Sequence, residues 1–388
     1  MGWIINWPSA SPASDAANLH ELVSPIAAKL RGLGCTAVRF DSAFSDAYAY
    51  SAGNLNPITT YVDDALTQIR AAGYQEVYMV VQCHVAQTTY WKAFNGGNTW
   101  PHEARPPAAV VAQAKVFEAD YINYCYAKWI ALGGRPDGFN VIKENEGYVG
   151  GAGFGQAQPK AYLEGLGYGG IWDTTAHWST LWAEELDGGG YSAHTTNFGF
   201  QDRMEVVVPY LFAQCDPAIK FWMPAHGMEE PEAEFETYQP DGFTWYGLSQ
   251  WNDSSGRKRC TFNAYHGRDT SWMLEGPHGA VYNLMTHLAT HRGLIEAYHA
   301  AESPAETIVL LNTETGWCID YLDQDYNRRP GYAQVGRLLR EFIRSMRGIG
   351  QQFGLFSLHG GTDVGESSFS LVGDNGAPTL ATRVLMEA

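Results

Sequence analysis

Two stretches of the chain end in carboxylates spaced for chemistry. Asn140-Val141-Ile142-Lys143-Glu144-Asn145-Glu146-Gly147 is an apolar run that closes on an acidic cluster and a glycine. Thr307-Ile308-Val309-Leu310-Leu311-Asn312-Thr313-Glu314-Thr315-Gly316-Trp317 repeats the pattern of apolar run, carboxylate, glycine and aromatic. Two carboxylates delivered to one face can divide labour, one held protonated as an acid and one ionised as a nucleophile, if their surroundings separate their pKa values. The pattern assigns Glu146 as general acid/base and Glu314 as nucleophile. Glu144 is the rival acid, because alternation along a strand places it on the same face one step deeper. An ion pair with Lys143 or an arginine is the structural alternative for either glutamate.

The elements that must position these residues alternate between strand and helix. Near-continuous apolar runs at 3–7, 36–40, 76–85, 140–146, 219–224, 242–248, 307–313 and 353–358 read as eight strands of a parallel sheet covered on both faces. Helices are expected from Asp15 to about residue 32, over 58–72 with a stop at Gly73, over 108–132 with a stop at Gly133-Gly134, and over 201–214, 279–300, 332–347 and 379–386. The helix over 332–347 is strongly amphipathic, with Val335, Leu338, Leu339, Phe342 and Ile343 on one face. The fold class is therefore α/β: a single (β/α)8 TIM barrel over residues 1–388. A long insertion after strand 4, residues 147–199, rich in Gly, Trp and His, is placed over the active-site face as a lid or groove wall.

Composition bounds the partners. The formal net charge is −17, and no basic run or nucleic-acid motif is present, so a polyanion is not the expected partner. No apolar run reaches about 18 residues, so no membrane-spanning helix is expected. The hydrophobic fraction of 45% is enough for a large core. Cys35, Cys83, Cys125, Cys215, Cys260 and Cys318 are scattered, without CxxC or Cys/His metal spacing, and read as small buried hydrophobes. No metal site and no cofactor is expected. The 13 tryptophans supply flat apolar rings suited to sugar faces, although tryptophan is equally ordinary core material.

Barrel chemistry sits at the C-terminal strand ends. The polar residues expected there are Asn6, Arg39, His84, Asn145, Glu146, His226, Tyr246, Glu314 and His359. Arg39 is the cation that would hold Glu314 ionised, with a buried ion pair to Asp41 as its structural alternative. Tyr246, placed on strand 6, would donate to Glu314, with ordinary core packing as the alternative. Asn145 would bond the sugar hydroxyl next to the anomeric carbon. His84, His226 and His359 would bind substrate hydroxyls, each with a structural role as the alternative. Trp317 completes the substrate-binding set.

An Asn-Glu at the end of strand 4 and a Glu at the end of strand 7 of an eightfold barrel resemble the retaining glycoside hydrolases of the 4/7 superfamily, clan A. Thr313-Glu314-Thr315-Gly316-Trp317 is similar to the nucleophile segment of the clan's β-1,3-glucanases and endo-galactanases. Arg39, His84 and Tyr246 fall where the clan keeps supporting residues. The tail Ser370-Leu371-Val372-Gly373-Asp374-Asn375-Gly376-Ala377-Pro378 also resembles the clan's end of barrel. The chain departs from the clan at Asn145-Glu146-Gly147, where Asn-Glu-Pro is commoner, and at Leu358-His359-Gly360, where many members have Trp. The resemblance implies a carbohydrate substrate, cleavage of a β-glycosidic bond in a polysaccharide or oligosaccharide with retention, and two-glutamate double displacement.

Three rivals stand beside this expectation. The first is a metal-dependent barrel hydrolase or isomerase using His84, Glu146, His226 and Glu314 as ligands. The second is a non-catalytic glycan-binding barrel. The third is a transglycosylase built on the same residues. A polysaccharide substrate favours a secreted enzyme, with no signal peptide in this chain, whereas unpaired cysteines fit a reducing interior. The sugar, the linkage and the oligomeric state are not expressed in the sequence.

Overall fold

The structure is a computed structural model that describes residues 2–8, 19–42, 48–51, 54–57, 60–82, 108–144, 208–228, 257–264, most of 284–297 with residue 300, 307–315, 332–355, 371–372 and 377–387. Eight strands form one sheet: β1 (Trp3–Asn6), β2 (Cys35–Asp41), β5 (Val77–Gln82), β6 (Phe139–Glu144), β7 (Lys220–Met228), β8 (Arg257–Ala264), β9 (Thr307–Glu314) and β10 (Gly354–Leu355). Every pairing in it is parallel, in the order β10-β1-β2-β5-β6-β7-β8-β9. These are barrel strands one to eight, taken in chain order from β1. The remaining two, β3 (Tyr48–Ser51) and β4 (Asn54–Pro57), form an antiparallel hairpin where the sequence reads as an aromatic loop.

The sheet curls so that its two ends approach each other. Ile4 from β1, Ala37 from β2, Tyr78 and Val80 from β5, Ile142 from β6, Trp222 from β7 and Leu311 from β9 pack into a single interior cluster. A flat sheet cannot bring β1 and β9 into one cluster with β5; a strongly curled one does, and the architecture is that of a TIM barrel. The two end strands touch at Gly354, where a Cβ would collide with the Thr313 carbonyl. Glycine is therefore required at that approach. Among the described residues no ladder bonds link β9 to β10.

The alternate strand residues face outward. Trp3, Ile5, Val38, Val77, Met79, Phe139, Val141, Phe221 and Leu310 join the larger core between sheet and helices. That layer is covered by α1 (Leu19–Leu30), α2 (Thr60–Ala71), α3 (Ala108–Ala131), α4 (Val208–Gln214), α5 (Tyr332–Gly348) and α6 (Leu380–Met386), with further helical residues between 284 and 300. On α5, Val335, Leu338, Leu339, Phe342, Ile343 and Met346 recur at three- and four-residue steps and all are buried. That spacing is what lays one helix face on the sheet. Helices α2 and α3 stop at Gly73 (φ 89°) and Gly133 (φ 77°), a left-handed conformation that other residues adopt at a cost. Thr379 caps α6, its hydroxyl accepting from the Thr382 amide at 3.5 Å.

One expected strand is corrected. The sixth barrel strand is β8, Arg257–Ala264, lying between β7 and β9, not residues 242–248. The charged start Arg257-Lys258-Arg259 hides the strand from a search for apolar runs, while the aromatic segment at 242–248 imitates one. Tyr246 therefore does not stand on strand 6, and it lies outside the described residues. So does the expected insertion at 147–199.

Candidate active site at the C-terminal rim of the barrel

Because all eight strands are parallel, their C-terminal ends share one rim. Strand β6, the fourth barrel strand, ends at Glu144, so Asn145 and Glu146 follow its last residue directly. Strand β9, the seventh, ends at Glu314. The two strands reach the rim by different backbone routes.

On β6 the register with β5 runs unbroken from Val77↔Phe139 to Gln82↔Glu144. Phe139 and Val141 lie in the outer core and Ile142 in the interior cluster. Simple alternation therefore keeps backbone position 144 in the interior phase. On β9 the interior residues are Val309 and Leu311, so alternation alone would give the next interior place to 313. The register shifts instead: Phe262 pairs with Asn312, and Asn263 with Glu314. One extra residue, Thr313, is inserted opposite β8, which is a β-bulge. The bulge brings backbone position 314 into the phase of Val309 and Leu311. A matching shift occurs across β8, where Thr261 pairs with Pro224 and Asn263 with Gly227. Asn263 is thus flanked by an extra residue on each side, and His226 falls within the shifted part of β7.

The other expected residues are placed as follows. Arg39 lies on β2, in register with Asn6 of β1 and Tyr78 of β5, and is half-buried. His84 comes two residues after the end of β5. Glu146, Asn145, His84, Tyr246, Trp317 and His359 lie outside the described residues, and the described parts of Glu314 and His226 are their backbones.

The floor beneath this rim is filled and its polar groups are paired. Asn140, near the start of β6, donates from Nδ2 to the Val77 carbonyl at 3.2 Å and accepts from Trp222 Nε1 at 3.0 Å. Tyr78 lies against Trp222 with ring centroids 5.9 Å apart, and its hydroxyl donates to Glu76 Oε1 at 2.8 Å. Above them sit Ile4, Ala37, Val80, Ile142 and Leu311. Among the described residues the interior is a packed core.

Three features of the rim escape a reading of spacing alone. The bulge in β9 leaves no trace in composition. Asn263 is concealed in a strand that begins with three cations. Trp7, just after β1, donates from Nε1 to His20 Nδ1 at 2.9 Å, the two rings stacked at 6.3 Å. That bond selects the neutral tautomer with the proton on Nε2. Burial lowers the imidazole pKa from 6.5 to about 4. Burial likewise pushes the Cys35 thiol up to about 12 and raises that of Cys125. Cys35, Cys125, Cys215 and Cys260 are buried, as the sequence led us to expect.

No protein-family model matches the chain. No curated protein matches it either. Solved structures do, at low identity. A GH5-4 broad specificity endoglucanase from Clostridium longisporum is 10% identical, with 100% of this chain and 94% of that one covered, at a TM-score of 0.50. A family 1 β-glucosidase from Thermotoga maritima is 13% identical over 99% and 96% of the two chains, at 0.49. A Rhizomucor miehei β-1,3-glucanosyltransferase, solved with laminaritriose, is 11% identical over 98% and 96%, at 0.45. At this identity the endoglucanase shares the barrel fold with this chain, and function must be argued from the rim.

Proposed function

We propose that the chain is a retaining glycoside hydrolase of the 4/7 superfamily, cleaving β-glycosidic bonds in a polysaccharide or oligosaccharide. The observation that carries this reading is that the fourth and seventh strands of one barrel both bring a glutamate to the C-terminal rim. A bulge supplies the phase on β9 that alternation alone denies it. Glu314 attacks the anomeric carbon while Glu146 protonates the leaving oxygen. The resulting glycosyl-enzyme is hydrolysed by water that Glu146 deprotonates, so the configuration is kept. Arg39 favours the ionised form of Glu314. Asn145 bonds the hydroxyl beside the anomeric carbon, and His84, His226, Trp317 and His359 bind the rest of the sugar. Residues 147–199 form a wall of the groove. Tyr246 has no part in the proposal, since the rim position of the sixth strand belongs to β8.

Retention requires the two carboxyl groups about 5–5.5 Å apart, against roughly 6.5–9.5 Å for inversion. The test is hydrolysis of a panel of β-glucans, galactans, mannans and xylans, with product configuration read by NMR. A β-product and complete loss of turnover in Glu314→Ala are expected. Wild-type turnover by Glu314→Ala, or an α-product, overturns the mechanism.

A further inference from the structure

Asn6 is the last residue of β1. It is 2% exposed, and neither Oδ1 nor Nδ2 of its amide has a hydrogen-bond partner. Ile4, two residues earlier, belongs to the interior cluster, so Asn6 stands on the interior face, in register with Arg39 of β2. Buried side-chain amides are nearly always bonded. Asn140 shows what this fold does with one it uses as scaffold: at 1% exposure, both ends of its amide are paired. The contrast is of position. Asn140 lies near the start of β6 on the floor, whereas Asn6 ends β1 on the C-terminal side of Ile4 and Ala37. A second unpaired group lies close in the sheet: Thr315, directly after Glu314, is wholly buried and its hydroxyl is without a partner. Gly354 of β10, the strand paired with β1, lies against the Thr313 backbone of β9.

We infer that Asn6 is a substrate-binding residue that takes two adjacent hydroxyls of the sugar ring, an assignment that rests on the glycoside hydrolase reading above. Its Oδ1 accepts from one hydroxyl, and its Nδ2 donates to the oxygen of the next. A side-chain amide suits the place because it offers a donor and an acceptor side by side without charge. A carboxylate at position 6 would repel the ionised nucleophile and push both catalytic pKa values up.

The test uses the full chain carrying Glu314→Ala, so that sugar is bound and not consumed. Calorimetric titration with cellotetraose, laminaritetraose, mannotetraose, galactotetraose and xylotetraose identifies the binder. Adding Asn6→Leu or Asn6→Ala then weakens that tetraose at least tenfold. The melting temperature of the ligand-free Asn6→Leu protein stays level or rises, because an unpaired amide has been replaced by an apolar group. Unchanged affinity in both variants overturns the inference and leaves the glycosidase reading intact. A melting temperature lowered by several degrees, or failure of both variants to fold, also overturns it, since Asn6 would then be scaffold like Asn140. Binding of no tetraose by the Glu314→Ala parent overturns the glycosidase reading and this inference with it.

Discussion

Strands β6 and β9 both end in glutamate, yet they are built in opposite ways. The interior phase of β6 follows from alternation, Asn140 to Ile142 to Glu144, along an unbroken ladder with β5. That of β9 depends on the bulge at Thr313: with the same residues and no register shift, alternation from Leu311 would carry position 314 into the layer that packs on the helices. Strand β6 is robust because its geometry is the default geometry of a strand. Strand β9 depends on the shift against β8, and so on the neighbour that defines its register.

The largest effect that separates the two strands comes from inserting one glycine after Thr313. Asn312 pairs with Phe262 and Glu314 with Asn263, so the insertion carries Glu314 one step past that pairing and into the opposite phase. Turnover is expected to vanish as fully as in Glu314→Ala, while circular dichroism still reports a folded barrel. Deleting Thr313 lets Glu314 follow Asn312 directly and keeps its interior phase, so activity lost on deletion but kept on insertion would refute the phase argument. On β6 the default phase admits two acids, and Glu146→Gln against Glu144→Gln distinguishes them. Glu146→Gln should lower turnover of an unactivated β-glycoside by about 10²–10⁴-fold. It should spare an aryl glycoside whose leaving group needs no proton. Glu144→Gln should leave the ratio between the two substrates unchanged. The reverse outcome would transfer the acid role to Glu144.

Beside β1, acid pH acts on stability, and this sets the window in which the strands can be compared. Above pH 6.5 His20 is neutral in both folded and unfolded chains. Between pH 6.5 and about 4 the unfolded chain binds a proton that the buried imidazole refuses. Stability therefore falls with pH across that window, by about 3 kcal/mol in all from a shift of this size, and this contribution levels off below it. Urea midpoints measured from pH 7 to 4 should show this slope, and His20→Phe should flatten it. The smallest effect belongs to the floor. Asn140→Leu strands the Trp222 indole N–H and should lower unfolding free energy by about 1–3 kcal/mol, read from urea denaturation. It should do so without changing the preference between activated and unactivated substrates.

Much of the architecture was legible because it is written in local pattern. Seven of the eight barrel strands were placed from apolar runs, α5 from its three- and four-residue spacing, and the ends of α2 and α3 from Gly73 and Gly133. The strand that was missed, β8, opens with Arg257-Lys258-Arg259, and Arg259 is tolerated there because it sits half-buried between β7 and β9. No local rule marks such a strand, since what makes it a strand is the pair of neighbours that supply its hydrogen bonds.

The amino-acid sequence alone determined that glutamates follow two apolar strands of one α/β barrel, because strand ends and side-chain types are properties of consecutive residues. Only the tertiary structure decided which backbone positions on β9 share a face with those on β6. It also decided that Asn140 is bonded on both sides while Asn6 is bonded on neither. Register and pairing are relations between strands far apart in the chain, and they are set when the sheet assembles and curls.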